Sequence, residues 1–112
     1  MRTMDSAEVQ TARARAAELA SRVLAGLESP LVAARELCRL RFSVGLPEDD
    51  RDFLTFVGVD SDTDALPVGP ARVHWAPEAL VAKEDEIARA EKWALQFAGE
   101  AFKSIVQRFG AA

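Results

Sequence analysis

The chain has 112 residues, 49% apolar and 29% charged, with one cysteine (Cys38) and one histidine (His74). These numbers suit a single folded domain, and they exclude an intrachain disulfide framework, a multi-cysteine zinc site and a multi-histidine metal centre. Fourteen Lys and Arg against eighteen Asp and Glu leave a net charge of −4, which disfavours direct binding to a phosphate backbone.

The first helix is expected to start near Asp5 or Ser6, either of which can cap exposed backbone N–H groups. Val9, Ala12, Ala16, Leu19, Ala20, Val23 and Leu27 follow at three- and four-residue steps, which places them on one stripe. Gly26 and Ser29-Pro30 end it. The same Ser29-Pro30 pair opens a second helix as N-cap and first helical residue. Its apolar face is read as Leu31, Ala34, Leu37, Cys38 and Phe42, with Gly45 and Pro47 as the stop. Cys38, among apolar neighbours, reads as a small core residue rather than a nucleophile.

The chain then becomes acidic. Residues 48–64 hold Glu48, Asp49, Asp50, Asp52, Asp60, Asp62 and Asp64 against Arg51 alone, a local balance of −6. The flanking stretches are +2 (1–47) and zero (65–112), so the whole excess sits in this window. A field of this kind attracts a cation or a basic protein, or merely keeps a loop solvated. Within it, Phe53-Leu54-Thr55-Phe56-Val57-Gly58-Val59 is short, aromatic and β-branched, and predicts a strand. Ala71-Arg72-Val73-His74-Trp75 predicts a second strand, paired with the first across the Asp-rich connection. A two-stranded hairpin needs a helix layer beneath it.

The last third predicts a helix from Pro77-Glu78, with a possible break near Lys83. Its apolar stripe is wide: Leu80, Ile87, Ala90, Ala94, Leu95, Ala98, Phe102, Ile105 and Phe109, broadened by Trp93, Phe97 and Ala101. Glu84-Asp85-Glu86, Arg89 and Lys92 read as exposed charges. The expected fold is therefore mainly α (α+β) in one domain, 1–112: three principal helices with a two-stranded β-hairpin or irregular excursion at about 53–75.

Two patterns bear on chemistry. Asp60-Ser61-Asp62-Thr63-Asp64 places carboxylates at alternate positions, as a calcium loop does at its start, but Ala65 stands where that loop needs Gly and Ala71 where it needs Glu. The run also superficially resembles the first motif of haloacid-dehalogenase-type phosphatases, and departs from it at Asp64. In a simpler reading the Asp and Ser side chains only shape a turn. Arg72, His74 and Trp75 form the second pattern. Arg72 could pair with the aspartates across the hairpin, His74 could act as a base or as a hydrogen-bonded structural residue, and Trp75 could anchor the core or a contact. No catalytic, cofactor-binding or metal-binding set is assigned.

The stretch FLTFVGVDSDTDALPVGPARVHWAPEAL, Phe53 to Leu80, resembles a segment of small uncharacterised bacterial proteins. In size and charge the chain is similar to immunity proteins of bacterial toxin systems. That similarity implies a non-enzymatic, cytoplasmic inhibitor that uses an acidic surface to engage a basic partner such as a toxin domain. The partner-binding residues would be Asp49, Asp50, Asp52, Asp60, Asp62, Asp64, Arg72, His74 and Trp75. The expectation includes no cofactor, no nucleic acid and no membrane. The start MRTMDSAEVQ lacks a signal peptide's apolar stretch, and no apolar run approaches the roughly 20 residues of a membrane span. Two alternatives stay open: a small metal-assisted hydrolase using Asp60, Asp62 and Asp64, and a structural subunit that self-associates through its last helix.

Overall fold

The structure is a computed structural model that describes residues 6–110. Four α-helices follow one another as α1 (Ser6–Leu24), α2 (Pro30–Leu40), α3 (Arg51–Thr63) and α4 (Pro77–Phe109), with a 3-10 segment at Gly69–His74 before α4. Helix α1 is already helical at Ser6, the first described residue, and Asp5, the other cap expected for it, lies outside the described residues.

Local chemistry sets most boundaries. Helix α1 ends where Gly26 turns to φ +75, with the Gly26 N–H bonded to the Val23 carbonyl and the Leu27 N–H to the Arg22 carbonyl. That closure leaves the last carbonyls satisfied, and only glycine adopts its central conformation without cost. Ser29 caps α2, its hydroxyl accepting from the N–H groups of Leu31 (3.1 Å) and Val32 (3.4 Å). At Gly45 the backbone is again left-handed (φ +71), and a Cβ there would stand 3.3 Å from a Val9 methyl. The loop after α2 is held against α1 by buried Val44, whose carbonyl accepts from Arg13 Nε at 2.8 Å.

The hairpin does not exist. Residues expected as its first strand lie inside α3, and Ala71–Trp75 lie in the 3-10 segment and its C-cap. No strand occurs among the described residues, so the α+β expectation is corrected to all-α. The reason is visible along α3. Phe53, Phe56, Val59 and Thr63 are buried at steps of three and four while Leu54 faces outward, a helical rather than an alternating pattern. Asp50 is the N-cap, accepting from the Phe53 N–H, and Asp52 adds a carboxylate to the first turn, where the helix dipole favours it. The β-leaning threonines are accommodated by bonds to the preceding turn: Thr55 Oγ1 donates to the Arg51 carbonyl and Thr63 Oγ1 to that of Val59.

Two smaller expectations are also corrected. Helix α4 runs unbroken through Lys83. Phe42, placed on the apolar face of the second helix, lies beyond α2 and is 63% exposed, with the Arg41 guanidinium 4.7 Å above its ring.

The core is one cluster. Leu19 and the alanines 12, 16 and 20 of α1 join Leu31, Ala33, Ala34 and Leu37 of α2, the buried face of α3, and Ala94, Ala98, Ala101, Phe102 and Ile105 of α4. Alanines on α1 and α4 let those helices approach closely. At its centre Phe56 meets Phe102 with ring centroids 5.0 Å apart, and Phe53 meets Phe56 edge-on at 5.7 Å.

Every fully buried residue of α4 lies at or after Ala94. Thirty-three residues at about 1.5 Å each make a rod of roughly 50 Å, which matches the longest dimension of the 50 × 27 × 22 Å molecule. The pairings are antiparallel. Arg13 of α1 lies over Phe109 and α1's far end reaches Leu95, while α3 runs from Ser104 and Arg108 back to Ala90. The first three turns of α4 therefore extend past both neighbours.

Candidate protein-docking end

The acidic window is divided by α3. Asp50 and Asp52 sit at its start and Asp62 and Asp64 at its end, so some ten residues, roughly 15 Å of helix, separate the two groups.

At the α3 start the charge is used internally. Arg108 of α4 donates to Asp50 Oδ1 at 2.9 Å and to Asp52 Oδ2 at 2.7 Å, and Ser104 Oγ donates to the same Asp52 oxygen at 2.6 Å. Burial pushes the Asp50 carboxyl up, but hydrogen bonds from Arg108 and the Phe53 N–H, with the attraction of the guanidinium, outweigh it and hold it below its ordinary value. These two carboxylates fasten α3 to α4. Asp49, in the turn before them, stays exposed.

At the α3 end one carboxylate of three is engaged. Arg35 of α2 reaches between the helices, its Nη2 donating to the carbonyls of Thr63 (2.5 Å) and Leu66 (3.0 Å) and its Nε lying 3.6 Å from Asp60 Oδ1. The cation caps the last carbonyls of α3, where positive charge is favoured. Asp62 and Asp64 remain exposed and form no ion pair among the described residues. On a helix at 100° per residue, Asp62 points about 160° away from both Asp60 and Asp64's side of the cylinder, so the three do not converge. Among the described residues no group of three or more His, Cys, Asp or Glu side chains could hold a metal ion.

Arg72 and His74 are exposed in the 3-10 segment, Val73 between them is 80% exposed, and Trp75 is half-buried just before α4. The cation that meets the aspartates is Arg35, not Arg72. The segment is anchored on α2: Val68 is buried, and Gly69 (φ +58) lies where a Cβ would approach a Val32 methyl to 3.3 Å.

The residues missed by sequence reasoning come from α4. A cleft of about 340 Å³ opens between the α3 end and α4, lined by Asp62, Thr63, Leu66, Glu86, Arg89 and Trp93. Trp93 continues into a stacked pair with Phe97 (centroids 5.1 Å), and Phe97 is 52% exposed. Residues 60–89 hold seven carboxylates against Arg72, Lys83 and Arg89, a balance of −4 that equals the charge of the entire chain. The signal lay in the length of the α4 stripe, longer than any neighbour it could pack against. A larger groove of about 590 Å³ between α1 and the end of α2 lacks this charge; its Arg15 is paired with Glu18 and Glu36.

Cys38 is half-buried near Asp60. Burial first, and then the carboxylate, push its thiol up to about 11. Thiolate is the reactive form but gains nucleophilicity as its pKa rises, so at pH 8 a disulfide reagent such as Ellman's is expected to modify it at least about tenfold more slowly than an exposed thiol of ordinary acidity. A comparable rate in the native protein would show the site to be open.

No protein-family model, no curated protein and no solved structure matches this chain. No helix among the described residues is long and apolar enough to cross a membrane.

Proposed function

We propose that the chain is a non-enzymatic protein-binding module of the immunity or inhibitor kind, acting in the cytoplasm, and that it docks a basic partner at the end formed by the α3 terminus and the outer half of α4. The observation that carries this reading is coincidence. A stretch of the chain that carries −4 (residues 60–89), the unpaired Asp62 and Asp64, and the Trp93 cleft meet where α3 ends against α4, with Arg35 reaching in from α2 to hold Asp60 alone. An aromatic side chain in a cleft with a charged rim is the usual anatomy of a contact hot spot, and the field around it speeds encounter with a cationic surface.

This places the docking residues differently from the acidic edge expected from sequence. Asp62, Asp64 and Trp75 stay in the proposed docking set, with Glu86 and Trp93 added; Asp50 and Asp52, held by Arg108, and Asp60, held by Arg35, serve the fold. The helical course of Asp60–Asp64 works against the hydrolase alternative, because carboxylates on opposite sides of a helix cannot share a cation.

The test is kinetic. With the product of the neighbouring reading frame as partner, the association rate is expected to fall at least about tenfold between low salt and about 0.5 M, with dissociation little changed. Asp62→Lys with Asp64→Lys should slow association by a similar factor. A salt-insensitive association rate, or no binding at concentrations of order 10 µM, overturns the reading.

A further inference from the structure

The exposed first half of α4 carries a surface that its second half uses for packing. Viewed down the helix at 100° per residue, Leu80, Lys83, Ile87 and Ala90 continue the stripe formed by Ala94, Ala98, Ala101 and Ile105. From Ala94 onward two antiparallel helices, α1 and α3, cover that stripe. Toward the start of α4 that cover gives out: Ile87 and Ala90 are half-buried at the edge of the core beside the α3 end, and Leu80, two turns before Ile87, is half-buried without packing on the core cluster. Acidic side chains flank the uncovered stripe, Glu84 and Glu91 on one side and Glu86 on the other. Lys83 in the middle is neutralised by Glu86 at 3.0 Å, which leaves its apolar stem along the strip.

We infer that this strip, Leu80–Ile87–Ala90 between Glu84 and Glu86, receives an amphipathic basic helix of the partner, which lies along α4 and continues the bundle for about three turns. The inference rests on the docking end proposed above and adds the structural element that fills it. Helices are what cover the same stripe one turn further on, and a helix laid in an apolar groove is read by anchors at three- and four-residue spacing, the spacing found here. The charge selects among occupants. A second copy of this chain would bring −4 against −4 at the same end, whereas Lys and Arg flanking an apolar stripe would meet Glu84, Glu86 and Glu91.

Three synthetic peptides of about 14 residues, enough for four turns, test this on the intact chain. One has leucines in a helical stripe among lysines, one has the same composition scrambled so that the stripe is broken, and one has glutamates in place of the lysines. Fluorescence of Trp75 and Trp93 reports binding, and circular dichroism reports helix formation in the peptide. The striped basic peptide is expected to bind at least tenfold more tightly than either control and to gain helix on binding. Glu84→Lys with Glu86→Lys, and separately Leu80→Ser, should each weaken it at least tenfold while thermal unfolding stays near that of the parent, since none of these side chains belongs to the core or packs against it. Equal binding of striped and scrambled basic peptides overturns the helix strip and leaves the acidic docking end standing. Binding of the basic peptides no tighter than of the acidic one overturns both.

Discussion

Phe56→Ala is expected to cost about 3–5 kcal/mol, the usual range for truncating a fully buried aromatic side chain. Phe56 has no exposed surface and touches both Phe53 and Phe102, so its removal opens a cavity where α3 crosses α4. Domains of this size are stable by roughly 5–15 kcal/mol, and the variant should unfold at much lower urea, followed by helical circular dichroism. Leu54→Ala is the informative control. In a strand Leu54 and Phe56 would share a face and suffer alike. In α3 Leu54 is 45% exposed, and its truncation should cost less than about 1 kcal/mol. Equal losses at the two positions would contradict the helical assignment of 51–63.

The second large effect is at Arg108. Arg108→Ala leaves Asp50 and Asp52, both mostly shielded from solvent, with no cation. Stranding partly buried carboxylates in this way is expected to cost about 2–3 kcal/mol and about 10 °C of melting temperature. The pH dependence follows from the lowered Asp50 carboxyl. A group held below its ordinary value in the folded state stabilises the fold at pH above that ordinary value, and loses the contribution as pH falls through the folded one. The gap between parent and variant should therefore be full at pH 7 and narrow below about pH 4. Arg108→Lys keeps the charge but not the forked donor, so it should recover only part of the loss. A gap that stays constant down to pH 2.5 would show that the pair contributes nothing through ionisation.

The two predictions concern the segment where sequence and structure diverge. Phe53 to Val59 is aromatic and β-branched, and such short runs read equally as buried strand or buried helix. What decides is outside the run: Arg108 and Ser104, some fifty residues later, hold Asp50 and Asp52 at one end, Arg35 holds the carbonyls of Thr63 and Leu66 at the other, and Phe102 receives Phe56 between them. Strand propensity, worth at most about 1 kcal/mol per residue, yields to that packing. The candidate site divides the same way. The acidic window was plain in composition. That two of its seven carboxylates, Asp50 and Asp52, would be consumed in holding two helices together was not, because the arginine responsible sits near the far end of the chain.

The amino-acid sequence alone determined the places of α1, α2 and α4, since Ser29-Pro30, Gly26 and long stripes at helical spacing act within a few residues of themselves. It also determined the sign of the charge. Only the tertiary structure decided that 51–63 is a helix, which aspartates remain available, and that α4 outruns its neighbours. Each of these depends on contacts between residues far apart in the chain, and no local pattern encodes which distant partner will be there to meet them.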